Sequence, residues 1–329
     1  MLTRFISDQN LPDFMQKLRK FGGIEGPLRG EDGGVRFGNL SDGTTPDIHA
    51  IRTLLPAKKY LFAPEERLFN YTLQEGYKIL LEDISPVTLF ALHPCELAGI
   101  NYLDRLLGGD APDPHYAARR SQITLIGISC LPDEFCSCHI SPSPLQALSD
   151  IFMNIVEGGF VVTVYSSRGK EIMEDMKDLA EERELPVPQD ARRFFGVSLP
   201  LNVMSEIDTG LPEWQKLADR CLGCGACSLC CPTCACFNIL EFAGLDGVSS
   251  ERIRYWDNCL FKSHSMVAGG AVFNKGRAER FIYRYRHKQR GFGPLRGVPS
   301  CVGCGRCRAF CPIGLDLRVL TELLERSAV

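Results

Sequence analysis

Residues 221–232 read CLGCGACSLCCP, and residues 301–312 read CVGCGRCRAFCP. Both stretches follow C-x2-C-x2-C-x3-C-P, with Cys221, Cys224, Cys227 and Cys231-Pro232 in the first and Cys301, Cys304, Cys307 and Cys311-Pro312 in the second. Three thiolates at steps of three can wrap one face of a compact metal–sulfide cluster. The glycines between them let the loop turn tightly and bring backbone N–H groups towards the cluster sulfides. The proline ends the loop and turns the fourth cysteine away. Where this run occurs twice, that fourth cysteine ligates the cluster of the other run. The spacing therefore assigns Cys221, Cys224, Cys227 and Cys311 to one [4Fe-4S] cluster, and Cys301, Cys304, Cys307 and Cys231 to a second. Structural zinc fits poorly, because it takes four ligands, usually as two separated pairs.

These eight are half of the sixteen cysteines in a chain of 329 residues. Net charge is −3, which points neither to nucleic acid nor to an anionic membrane surface. No apolar run approaches the roughly 20 residues that span a bilayer. The N-terminal MLTRFISDQNLPDF lacks the apolar core of a signal peptide. The expected location is the cytoplasm, where bunched cysteines bind metal rather than pair as disulfides. Cys95 follows the apolar run TLFALH, and Cys130 follows ITLIGIS, with Cys136 and Cys138 just beyond. Two strand ends of an α/β sheet can meet at one edge. Cys95, Cys130, Cys136 and Cys138 are thus candidates for a third [4Fe-4S] cluster, the alternative being buried thiols that pack as small hydrophobes. Cys234, Cys236 and Cys259 are candidates for a further metal centre or for a thiol shell around the first two clusters. Cys230 interrupts a quartet that is complete without it.

Strand-like runs at 88–93, 123–129 and 159–165 alternate with helical patterns at LPDFMQKLRK (11–20) and SRGKEIMEDMKDLAEERE (167–184), which predicts an α/β domain over 1–208. The Gly-rich FGGIEGPLRGEDGG (21–34) has neither dinucleotide nor P-loop spacing and reads as a surface loop. Residues 209–329 are expected to form a mostly α-helical two-cluster ferredoxin-like domain. Helical patterns are read at ACFNILEFAGL (235–245), RAERFIYRYRHKQR (277–290) and LDLRVLTELLERS (315–327), and the long insert between the quartets resembles the helical ferredoxin domain of succinate dehydrogenase iron–sulfur subunits. The basic, aromatic stretch from Arg277 to Arg290 is either a solvated helix face or a surface that meets a cluster or a partner. His93, His115, His139 and His264 are scattered without a nucleophile or carboxylate to act with, so no catalytic constellation is expected.

LLPAKKYLFAPEERLF (54–69), HPCELAGINYLD (93–104), the Tyr116–Arg120 stretch, LIGISCLPDEFCSC (125–138), CLGCGACSLCCPTCACF (221–237), LDGV (245–248) and RYWDNCLFKSHSMVAGG (254–270) extend the pattern over most of the chain. In these motifs the chain resembles the β subunit of cytoplasmic sulfhydrogenases, which are NAD(P)-linked NiFe hydrogenases, and the A subunit of anaerobic sulfite reductases. Cys230 is not part of the family's pattern. The resemblance implies an electron-transfer subunit. It would relay electrons between a flavin/[2Fe-2S] NAD(P)H-oxidoreductase subunit and a catalytic subunit, either a NiFe hydrogenase or a sirohaem sulfite reductase. Flavin and NAD would then sit on another chain, as the missing nucleotide fingerprint suggests. The alternative is a catalytic iron–sulfur reductase of the heterodisulfide reductase type.

Overall fold

The computed structural model describes residues 3–81, 83–136, 145–181, 212–290 and 300–315. In chain order its main elements are β1 (Thr3–Ser7), α1 (Leu11–Leu18), β2 (Gly23–Arg29), β3 (Val35–Asn39), β4 (Glu65–Thr72), β5 (Gly76–Ile79), β6 (Val87–Leu92), α2 (Pro94–Leu107), α3 (Pro114–Gln122), β7 (Ile123–Ile128), β8 (Ile151–Val156), β9 (Gly159–Val164) and α4 (Ser167–Asp175). After these come α5 (Pro212–Arg220), α6 (Ala226–Leu229), β10 (Phe237–Ala243), β11 (Ser249–Trp256), α7 (Arg277–Arg290) and α8 (Arg306–Ala309).

The three apolar runs of the N-terminal half become β6, β7 and β9. They join a seven-stranded mixed sheet of order β1-β9-β8-β7-β6-β2-β3. Pairing is parallel from β2 through β6 and β7 to β8, and antiparallel towards both edges. Strand β7 is buried on both faces, as a continuous apolar run requires when helices cover each side. Ile126 and Ile128 face a core with Phe14 and Leu18 of α1 and Ile172 and Met173 of α4. Ile123 and Leu125 face a second core with Leu97, Ile100 and Leu103 of α2 and Tyr116 of α3. Gly127 sits where Phe152 presses on the sheet; a Cβ there would lie 2.5 Å from that ring.

A second, four-stranded antiparallel sheet has the order β10-β11-β4-β5. Here the structure corrects the expected helix at 235–245: Phe237–Ala243 is a strand, paired in register from Phe237↔Trp256 to Ala243↔Ser250. The Gly-rich stretch is likewise not only a loop, because Gly23–Arg29 forms β2 and only the turn at Gly30–Gly34 is irregular. Both hairpins turn on Asp-Gly, with Gly33 at φ 74° and Gly247 at φ 69°, a backbone that glycine adopts without strain. The expected helix at 277–290 is α7, and the helical run from residue 167 stops at Asp175. The cluster-bearing part is thus helices plus a β-hairpin rather than mostly helical. The pattern at 315–327 lies outside the described residues beyond its first position, as does the boundary placed near 208. Strands β4 and β5 precede that boundary, while β10 and β11 follow it.

Candidate iron–sulfur sites

The two cysteine loops repeat the same backbone. Gly223 and Gly225 have φ of 67° and 79°, Gly303 and Gly305 have 64° and 72°, and each pair leads into a single helical turn, α6 and α8. These left-handed positions curl the chain so that amides face sulfur: Gly223 N donates to Cys221 Sγ at 3.4 Å, and Gly303 N–H to the Cys301 thiol. Cys221, Cys224 and Cys227 line an open cavity with Cys307 and Cys311, walled by Leu260, Phe281, Tyr285 and Leu315. Leu315 N donates to Cys311 Sγ at 3.4 Å. At the other loop, Cys231 Sγ lies 3.3 Å from Thr233 Oγ1, and that hydroxyl donates to Ser300 O at 2.5 Å, directly before Cys301. Each run's fourth cysteine therefore reaches the partner loop. Soft thiols, inward amides and nearby cations suit a thiolate-bound cluster.

The cations are the part that spacing could not show. Arg284 and Lys288 of α7 and Lys58 are 3%, 9% and 2% exposed, so the first two, from the basic stretch, point inwards rather than to solvent, and Lys58 is buried with them. Arg284 Nη2 donates to Cys227 O at 2.7 Å, Lys288 Nζ to Thr233 Oγ1 at 2.8 Å and Lys58 Nζ to Cys234 O at 2.8 Å. Lys58 also sits over the Trp256 ring, 4.0 Å from its centroid. None of the three has a carboxylate partner among the described residues, and burying a cation without an anion costs on the order of several kcal/mol. Burial opposes charge on Cys231, yet Lys288 and Arg284 bring its thiol down to about 7. Burial, and the neighbouring thiols of Cys231, Cys304 and Cys227, push Cys230 up.

Strands β6 and β7 are parallel neighbours, so their carboxyl ends lie side by side and deliver Cys95, in the first turn of α2, and Cys130. The β6–β7 register shifts between Leu89 and Leu92, and Ala91 takes φ 58°, a strained position for a residue with a Cβ, just before His93-Pro94-Cys95. His93 is buried, with Nδ1 3.0 Å from Ile51 O, and burial with Arg306 and Arg52 nearby lowers it to about 4. Arg52 bonds Asp133 and reaches Cys136 Sγ at 3.2 Å. Arg306, one of two arginines inside the second motif, is 2% exposed; it pairs with Glu96 and donates from Nε to Thr53 O at 3.0 Å. It stands between the thiols of Cys304 and Cys95. Gly305 lies against the Phe135 carbonyl, and Arg308 donates to that same oxygen at 3.0 Å. Cys95, Cys130 and Cys136 are thus gathered beside the second loop, while Cys138 lies outside the described residues.

Cys236 stands between Cys234 and Cys259, in hydrogen-bond contact with both thiols. Cys230 is not with them; its neighbours are Cys231, Cys304, Cys227 and Arg306. Among the described residues no three His, Cys, Asp or Glu side chains converge on a single metal ion, and that holds for the two quartets as well. Nor is any described helix long and apolar enough to cross a membrane.

Residues 220–315, which span both loops, match the 4Fe-4S dicluster domain family. The sulfhydrogenase 2 subunit beta of Pyrococcus furiosus is 32% identical over 335 residues, covering 97% of this chain and 98% of that one. The chain belongs to the sulfhydrogenase β-subunit family. Its cluster-bearing region is a 4Fe-4S dicluster domain, set against a sheet-rich N-terminal region.

Proposed function

We propose that this chain is the electron-relay subunit of a multi-subunit oxidoreductase. It would pass electrons between a flavin-bearing NAD(P)H-oxidoreductase subunit and a catalytic subunit. The family of the Pyrococcus relative favours a NiFe hydrogenase over a sirohaem sulfite reductase as the catalytic partner. What supports the reading is the placement of the fourth cysteines: Cys311 in the cavity of the first loop, and Cys231 tied through Thr233 to Ser300 at the second. Crossed ligands would hold two cubanes, which would supply one-electron chemistry when bound. The chain's own residues supply the thiolates, the inward amides and the buried cations Arg284 and Lys288, which offset the negative charge of a reduced site.

A third [4Fe-4S] cluster on Cys95, Cys130, Cys136 and Cys138 would extend the relay past Arg306. The salt-bridged Arg306–Glu96 pair supports this reading, because it fixes the second loop against the helix that carries Cys95.

The test uses the anaerobically purified chain. Iron and acid-labile sulfide are measured alongside EPR of the dithionite-reduced protein. About eight irons report the dicluster, and about twelve, four of them lost in Cys136→Ala, add the N-terminal cluster. NAD(P)H should reduce the chain only when the flavin subunit is present. Turnover of disulfide or sulfite by the isolated chain would reject the relay role in favour of a catalytic reductase.

A further inference from the structure

We infer that Cys234, Cys236 and Cys259 bind an additional iron–sulfur cluster, distinct from the two ferredoxin quartets and from the N-terminal set. The inference rests on the iron–sulfur reading above and extends it to a site which that reading leaves unused.

The first argument is architectural. At the second loop, the position of Gly305 is closed by another cysteine-bearing segment: a Cβ there would meet Phe135 O at 2.5 Å and Cys136 N at 3.1 Å. At the equivalent Gly225 of the first loop, a Cβ would meet the Asn258 side chain at 2.1 Å, and Asn258 directly precedes Cys259. Asn258 is fully buried and donates from Nδ2 to Gly225 O at 2.6 Å. The two loops repeat each other, and the cysteine segments laid against them repeat as well. Cys259 stands to the first loop as Cys136 stands to the second.

The second argument is charge. Lys58 donates to the carbonyl of Cys234, and Cys234 is the thiol that acts on it most strongly, ahead of Cys231. A buried ammonium with no carboxylate among the described residues needs an anion close by. Burial lowers Lys58, and the Cys236 thiol together with burial raises Cys234, so what counts is placement: the Lys58 head group is set against the Cys234 backbone, where a cluster held by that cysteine would bring negative charge. Arg284 faces Cys234 and Cys259 as well as Cys227 and Cys231, and its Nε and Nη1 find no oxygen acceptor among the described residues. Ser228, 1% exposed, lies against the Cys259 thiol with no oxygen or nitrogen partner for its hydroxyl. Buried donors thus converge on three thiols, which is how proteins solvate a cluster held by sulfur. A polynuclear cluster, rather than one ion, fits thiols that do not meet at a single point. Cys230 takes no part, its thiol neighbours being Cys231, Cys304 and Cys227.

The experiment compares iron, acid-labile sulfide and the EPR of the reduced full chain for the parent, Cys236→Ala, Cys259→Ala and Cys230→Ala. Cys236→Ala and Cys259→Ala should each lose about four irons and the same EPR component, while the quartet signals stay and Cys230→Ala matches the parent. A folded Cys236→Ala or Cys259→Ala protein with unchanged iron overturns the inference, as does stoichiometric zinc that disappears in these variants. If neither variant folds, the parent count decides: about twelve irons, four of them lost in Cys136→Ala, leave no iron for this site, and about sixteen require it. A parent chain without iron would instead overturn the iron–sulfur reading itself.

Discussion

At Gly305 the backbone turns left-handed with a main-chain carbonyl 2.5 Å from where a Cβ would stand, and at Gly225 the obstacle is a side-chain amide instead. An L-residue in this conformation costs roughly 1–2 kcal/mol before any collision is counted. A carbonyl fixed by Arg308 cannot step aside as the end of a side chain can. Gly305→Ala is therefore expected to destabilise the protein more than Gly225→Ala and to lower iron at the second quartet and the N-terminal site together; urea denaturation and iron content check both. A different residue-scale test concerns Glu66, 3% exposed, which pairs with Arg254 and Arg119 while Arg254 also holds Asp113. Glu66→Gln leaves two buried guanidinium groups short of charge. Losing one partner of a buried network costs about 3–5 kcal/mol, so the denaturation midpoint should fall sharply with cluster content unchanged in the folded fraction.

The proposed crossing of the cysteines belongs to the scale of loops and helices, and it implies an unusual mutational pattern. Cys311→Ala should remove the same EPR signal as Cys221→Ala, although Cys311 sits in the other motif, and Cys231→Ala should match Cys301→Ala. Loss of signals grouped by motif, rather than across motifs, would refute the exchange. The dicluster domain was legible because a cluster demands fixed cysteine spacings, and strands β6, β7 and β9 because burial on both faces leaves unbroken apolar runs. The strand β10 was misread as helix because Leu240, Glu241 and Ala243 favour helix locally, while pairing with β11 decides the matter. The turn signal was nonetheless present in Asp246-Gly247, as Asp32-Gly33 was for the hairpin of β2 and β3. The inward turn of Arg284 and Lys288 had no comparable signal, because a basic helix face looks alike in sequence whether it meets water or a cluster. Lys58 and Arg52 were hidden for another reason: they come from segments far from the cysteines they serve.

At the scale of the molecule, the second sheet joins what the composition would divide. Strand β11 pairs with β10 on one side and with β4 on the other, from Ser249↔Thr72 to Tyr255↔Glu65. Arg254 reaches Glu66 and Asp113, Trp256 Nε1 donates to Phe62 O at 3.0 Å, and Arg306 reaches Thr53 and Glu96. A fragment of residues 209–329 would therefore expose an unpaired β11 edge, a template for association between copies. It would also leave Arg254 and Arg306 without their carboxylates and remove Lys58 from Cys234. Although it holds every cysteine of both quartets, this fragment is expected to aggregate and to retain far fewer than the roughly eight irons of two cubanes. The full chain should unfold in one transition that takes the cluster absorbance and the β-sheet circular dichroism down together. Size-exclusion chromatography with iron analysis tests the first expectation, and paired thermal melts test the second. A monomeric fragment with a full iron complement would show that the dicluster region stands alone, with the shared sheet only decorating it.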